Sequence, residues 1–134
     1  MIQPLLVFGN WTIFVLRVVL GLILMRHGLP KLKDLKGTGS WFDSIGFRPG
    51  GFWALVAGVV EFVGGIAIIL GFLTQAIALL VALQFIVILF GFKKSKMFGK
   101  ESEIDWLILT IALALAALGG GVLSLDSYLG FILY

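Results

Sequence analysis

The chain has 134 residues, a net charge of +3 and no cysteine; 60% of it is hydrophobic and only 13% charged, with a mean hydropathy of +1.14. A soluble domain averages about 45–50% apolar and about 25% charged, and one core of this size cannot hide the excess, so the bilayer acts as the solvent and the protein is an integral membrane protein. Without cysteine, disulfides, thiol redox chemistry, iron–sulfur ligation and c-type haem attachment are excluded within this chain. The basic residues sit at the edges of apolar runs and are not interleaved with stacking aromatics, which excludes nucleic acid as a partner.

Four apolar segments follow in chain order. The first runs from about Trp11 to Gly28 after an apolar lead-in at Leu5–Phe8, and the second is Gly51–Leu70. The third covers about Leu73–Phe92 and the fourth about Asp105–Gly119. A helix of about 20 residues rises about 30 Å, enough to cross a hydrocarbon core. Membrane strands would alternate polar and apolar residues, so each segment reads as a helix. The expected fold is all-α: one integral membrane four-helix bundle over residues 1–134 with antiparallel neighbouring helices. The short "GFLT" link makes a hairpin of the second and third. A secretory signal is not expected, because the first residues carry no basic side chain and Arg17 interrupts the apolar region.

The first segment ends in "MRHGLPKL". Gly28 suits a helix C-terminus, Pro30 blocks continuation, and Arg26, Lys31 and Lys33 serve as interfacial anchors. His27 is left over; it aligns with Lys31 at i, i+4 only if Pro30 does not break the turn. The following "GSWFDSIGFRPGGFW" mixes aromatics with Gly, Ser and Asp, and is expected to lie at the interface or fold back on the bundle. It is either a belt of aromatics at headgroup level or a substrate lid.

Eight of the ten basic residues fall in two loops: Lys31, Lys33, Lys36 and Arg48 in the first, Lys93, Lys94, Lys96 and Lys100 in the other. The positive-inside rule places loops 29–50 and 93–104 in the cytoplasm and both termini outside a multi-pass cell-membrane protein.

Ala54, Gly58, Glu61 and Gly65 share one face of the second helix, and Asp105, Ala112, Ala116 and Gly119 one face of the fourth. Small residues let membrane helices approach closely, so these faces are expected inside the bundle. Glu61 lies mid-span, where a carboxylate costs roughly 2.5–3.5 kcal/mol. It must be neutral, hydrated or paired. Arg17, placed within about one helical turn of it in depth, is its expected partner, with Asp126 as a competitor for the same guanidinium. The pair either fixes helix register or serves a ligand or proton role. Gln84 is expected to bond a neighbouring helix or a ligand, and Gln75 to be interfacial. Glu101, Glu103 and Asp105 suit a helix N-terminus. One histidine and no cysteine cannot supply a zinc or bis-histidine haem site, so no metal is expected. No nucleophile–base pairing reads as a hydrolase.

The sequence resembles the DoxX family. "LRVVLGLILMRHGLPKL" is similar to the family's opening, with an Arg early in helix one, a His-Gly step and a Lys-Leu close behind. "VEFVGGIAIILGFLTQAIALLVAL" is similar to its second and third helices, and "GGGVLSLD" to its closing Gly-x-Gly-x-x-Ser-Leu-Asp. The aromatic-rich first loop departs from the pattern, as does Val122, where relatives often have a basic residue. The resemblance implies a small four-helix membrane protein. Some relatives are subunits of thiosulfate:quinone oxidoreductases, and others are linked to quinone detoxification or oxidative-stress complexes. It carries over Arg17, His27, Lys31 and Glu61 as a polar centre: Arg17 and Glu61 as a buried pair, His27 as donor or proton relay to a quinone-like carbonyl, Lys31 as an anion or headgroup contact. Gln84 and Asp126 are secondary candidates.

Three functions follow as expectations. One is a redox-linked membrane subunit binding a quinone or similar lipophilic molecule in the bundle, an accessory subunit of a quinone-linked oxidoreductase. Another is a membrane anchor or assembly protein for a soluble redox partner held at the basic cytoplasmic loops. The last is a small transporter, which at this size requires a homo-oligomer.

Overall fold

The computed structural model describes residues 4–92 and 98–130. A 3-10 turn at Pro4–Phe8 leads into α1 (Gly9–Lys33), followed by α2 (Leu35–Ser44) and α3 (Gly50–Leu70). Then come α4 (Thr74–Val87), prolonged by a π turn at Ile88–Phe92, and α5 (Glu103–Leu118) after a short 3-10 turn at Lys100–Ser102. A short α6 (Leu125–Leu129) closes the described chain. All regular structure among the described residues is helical.

α1, α3 and Thr74–Gly91 are each long and apolar enough to cross a membrane. α5, with 16 residues, packs mainly on α4 and also touches α1. Leu20 and Leu24 of α1, Ile68 of α3, Phe85 of α4, and Ile108 and Leu115 of α5 meet in one core. Leu22, Val63, Leu83 and Leu107 lie exposed on the outer faces of these helices, as expected where lipid is the solvent. The fold is that of a helical membrane bundle.

The seam between α1 and α3 sets the register of the whole molecule. A Cβ on Gly21 would lie 2.6 Å from the Gly65 carbonyl oxygen, and one on Gly65 would lie 2.7 Å from that of Gly21. Further along, a Cβ on Gly28 would lie 2.6 Å from the Phe62 nitrogen and 2.9 Å from the Gly58 oxygen. Only bare backbone fits at this spacing, which is the way small residues substitute for a hydrophobic driving force between helices in lipid. Ala54, Gly58, Glu61 and Gly65 are all buried, as their common face requires.

One expectation about the first loop changes, and one of its two alternatives is realised. α1 does not stop at Gly28; it runs through Pro30 to Lys33, and the Asp34 N–H closes it on the Pro30 carbonyl at 3.1 Å. Pro30 forfeits one helical hydrogen bond, but the turn is held from outside, with Gly28 against the α3 backbone and Leu32 on Gly58. Gly28 is therefore a contact glycine, not a terminator. The segment after it folds back on the bundle as α2. Asp34 Oδ1 accepts from the Gly37 N–H at 3.0 Å at the start of α2. Asp43 Oδ1 accepts from the Gly50 N–H at 2.8 Å and caps α3, as carboxylates do at exposed helix N-termini. Phe42 is buried against Ala54 and Ala57. Of the second basic loop, Lys93, Lys94 and Lys96 lie outside the described residues.

Candidate functional site: a polar floor beneath an aromatic cavity

Glu61 is 0% exposed, and its carboxylate is satisfied entirely by side chains. Lys31 Nζ on α1 donates to both oxygens, at 2.6 and 2.7 Å. Gln84 Nε2 on α4 donates to Oε1 at 2.5 Å. An ion taken out of water costs several kcal/mol unless its lone pairs are filled and a counter-charge is near; this arrangement supplies both. Because α1 stays helical past Pro30, His27 lies one turn before Lys31 on the same face. Its imidazole makes no hydrogen bond to another described residue. Among the described residues, His27 and Asp105 also act electrostatically on Glu61.

These polar groups line one cavity of about 560 Å³ at the end of the bundle where α1 stops. That volume lies within the range of about 300–1,000 Å³ that holds small organic ligands. Trp41 and Phe42 of α2, Phe47 of the following loop and Trp53 of α3 form an aromatic wall. Val60 of α3, and Leu80 and Leu83 of α4, form an aliphatic one. Glu101 and Asp105 stand at the α5 side. An apolar chamber with a small convergent set of donors and acceptors suits a flat, largely apolar molecule carrying carbonyl or hydroxyl groups.

Arg17 is not part of this cavity, which corrects its expected pairing with Glu61. Along the seam Gly28 lies opposite Glu61 and Phe62, whereas Arg17 lies against Gly71. Ten residues of α3 separate Glu61 from Gly71, about 15 Å along the axis. The depth estimate failed because α1 spans 25 residues from Gly9 to Lys33, not the shorter stretch ending at Gly28. At 1% exposure, Arg17 donates from Nη2 to the Leu123 carbonyl at 2.5 Å. Its guanidinium also stands 5.4 Å from the centroid of the Phe14 ring, a cation–π separation. Asp126 is its acidic neighbour and has a separate task. The Asp126 carboxylate accepts from the Leu73 N–H at 2.6 Å and the Thr74 N–H at 2.8 Å, capping α4. Arg17 and Asp126 thus join the closing segment to the α3–α4 hairpin.

Four of the expected residues, His27, Lys31, Glu61 and Gln84, therefore come together, while Arg17 and Asp126 meet at the opposite end. Asp105 and Glu101 join the cavity although their positions, in the first turn of α5 and just before it, explain them equally well as helix-terminal acids. The signal that could have singled out Asp105 is its place on the small-residue face with Ala112. Trp41, Phe42, Phe47 and Trp53 all come from "GSWFDSIGFRPGGFW", for which the sequence leaves both a headgroup belt and a substrate lid open.

Comparison with known proteins agrees with this architecture. The DoxX family model matches residues 12–94, a span that includes His27, Lys31, Glu61 and Gln84. "Putative oxidoreductase CatD" of Bacillus subtilis (strain 168) is 34% identical over 113 residues, covering 84% of this chain and 83% of that protein. "Inner membrane protein YqjF" of Escherichia coli (strain K12) is 32% identical over 120 residues, covering 87% of this chain and 91% of that protein. No solved structure matches. With most of its length aligned and its spanning helices in place, the chain belongs to the DoxX family of membrane proteins.

Proposed function

We propose that this protein is a redox-linked membrane subunit that binds a quinone or similar lipophilic carbonyl compound in the cavity above Glu61. The observation that carries the reading is the combination of an aromatic chamber of about 560 Å³ with a floor of His27, Lys31, Glu61 and Gln84. The Lys31 ammonium and the His27 imidazole are donors suited to a ring carbonyl, and the aromatic wall suits the ring face. The name of the Bacillus subtilis relative, an oxidoreductase, supports a redox context. Quinone reduction consumes protons, and Glu61, His27 and Asp105 are proton-carrying groups within the same cavity. The electrons come from a partner, because the chain has no cysteine and a single histidine from which to build a permanent redox centre.

The lysine distribution supports a cytoplasmic position for the cavity end, with both termini outside the plasma membrane. Exposed Lys33 and Lys36 then offer a soluble redox partner an anion-seeking surface beside the cavity.

The test is a titration of purified protein in lipid nanodiscs with a benzoquinone, followed by quenching of tryptophan fluorescence, since Trp41 and Trp53 line the site. Glu61→Gln and His27→Ala are expected to weaken binding about tenfold or more, the loss of about one charge-assisted hydrogen bond. Arg17→Ala, at the far end, is expected to leave it within twofold in protein that stays folded. Equal affinity in all four proteins refutes the site.

A further inference from the structure

The cavity is not closed on all sides, and where it opens bears on what it can hold. Leu80, Leu83 and Val87 line it from α4, yet they are 50%, 60% and 43% exposed. They recur at i, i+3 and i+7, one stripe of a helix. On a membrane-spanning helix, such exposure means contact with acyl chains. Facing the stripe across the gap are Val56 and Val60 of α3, both half-buried and both lining the cavity. α3 and α4 are joined by the tight turn at Gly71 and Leu73, and α3 packs closely along α1 while α4 packs along α5. The two arms of the hairpin therefore belong to different helix pairs, and the gap between them lies at the cavity, away from the turn. At the level of the same stripe, next to Leu83, Gln84 reaches Glu61.

We propose that the gap between α3 and α4, edged by Val56, Val60, Leu80, Leu83 and Val87, is a lateral portal to the bilayer, and that the ligand is a tailed amphiphile. Its polar ring sits over Lys31 and Glu61, and its hydrocarbon tail passes between the two helices into the acyl layer. The inference rests on the quinone reading for the ring and adds the tail and its exit. Three features argue for this occupant. The wall is continuous from charged floor to lipid-facing leucines, so a molecule following it changes from polar to apolar along its length. All five edge residues are aliphatic, with no polar group that a water-filled mouth would call for. Trp41, Phe42 and Phe47 belong to α2 and the loop after it, whereas the exposed α4 stripe of Leu80, Leu83 and Val87 is aliphatic and suits a flexible chain.

The experiment uses full-length protein in nanodiscs and two probes, a benzoquinone with a decyl tail and the same ring without it. Affinities are expressed per probe dissolved in the membrane. Leu83→Trp fills the gap; Leu79→Trp, equally exposed on α4 at 53% but outside the cavity lining, controls for a bulky ring facing lipid. The expected result is that Leu83→Trp weakens the tailed probe about tenfold more than it weakens the tail-less ring, while Leu79→Trp changes neither. Leu83→Ala, which widens the gap, is expected to bind the tailed probe at least as well as the original. Equal losses for both probes in Leu83→Trp, or no loss for either, overturn the portal while leaving the ring site standing. A shift of Leu83→Trp to another oligomeric state without selectivity between probes marks the stripe as a contact between copies and also overturns it. Failure of the unaltered protein to bind either probe overturns the quinone reading itself.

Discussion

Removing Lys31 is the sharpest single perturbation of the site. In Lys31→Met the methylenes remain and the ammonium goes, leaving the Glu61 carboxylate, 0% exposed, with Gln84 as its remaining side-chain donor. Breaking a buried ion pair from one side costs about 3–5 kcal/mol, because the stranded charge keeps its desolvation penalty. Lys31 itself is 25% exposed, so water reaching its place recovers part of this, and a loss of about 3 kcal/mol is expected. Glu61→Gln removes the charge and retains an amide that can bond Gln84, so it should cost less. In the double variant the penalty of the stranded charge disappears. A double-mutant cycle should therefore return a coupling of about 2–3 kcal/mol, near the top of the range seen for contacting residues. The assay is reversible unfolding in mixed detergent micelles, followed by tryptophan fluorescence and circular dichroism on all four proteins. Additive losses, with coupling below about 0.5 kcal/mol, would refute the claim that Lys31 neutralises Glu61.

Other consequences are equally direct. Gly28→Val drives a side chain into the α3 backbone, whose nearest atoms would be under 3 Å from the new Cβ; a loss of about 1–3 kcal/mol should appear in the same unfolding assay, together with weaker quinone binding as α1 and α3 separate. Asp126→Ala uncaps α4 by removing the acceptor of two N–H groups; about 1–2 kcal/mol is expected, with faster hydrogen exchange at Leu73 and Thr74 and unchanged affinity at the cavity. Phe42→Ala empties the contact of α2 with Ala54 and Ala57; faster proteolytic nicking in residues 35–49 should follow, while cleavage elsewhere stays as before.

Much of this architecture is legible from residue spacing, because lipid imposes helices and small residues mark where they touch. The faces carrying Gly58, Glu61 and Gly65 fell inside the bundle as their periodicity requires. Glu61 announced itself by cost alone. Its partner was another matter: identifying it required the relative depth of two helices, and that depends on where each one ends. The local rule that Pro30 stops a helix lost to the packing of Gly28 and Leu32 on α3, and the extra turn delivered Lys31 to the site on the face of His27. The α2 aromatics were legible as a headgroup belt or a lid, and the choice lay beyond local spacing because the fold-back depends on Asp34, Asp43 and the Gly39–Gly50 contact acting together.

The two ends of the bundle spend their polar groups differently. At the hairpin end, Asp126 holds main-chain N–H groups and Arg17 holds a main-chain carbonyl, so undoing those bonds frays helix and turn. At the other end Glu61, Lys31 and Gln84 hold only one another's side chains. A guest can take over any one of those bonds while every helical hydrogen bond stays closed. One end behaves as a weld and the other as a latch, and a latch made of side chains alone can open and close without loosening the frame.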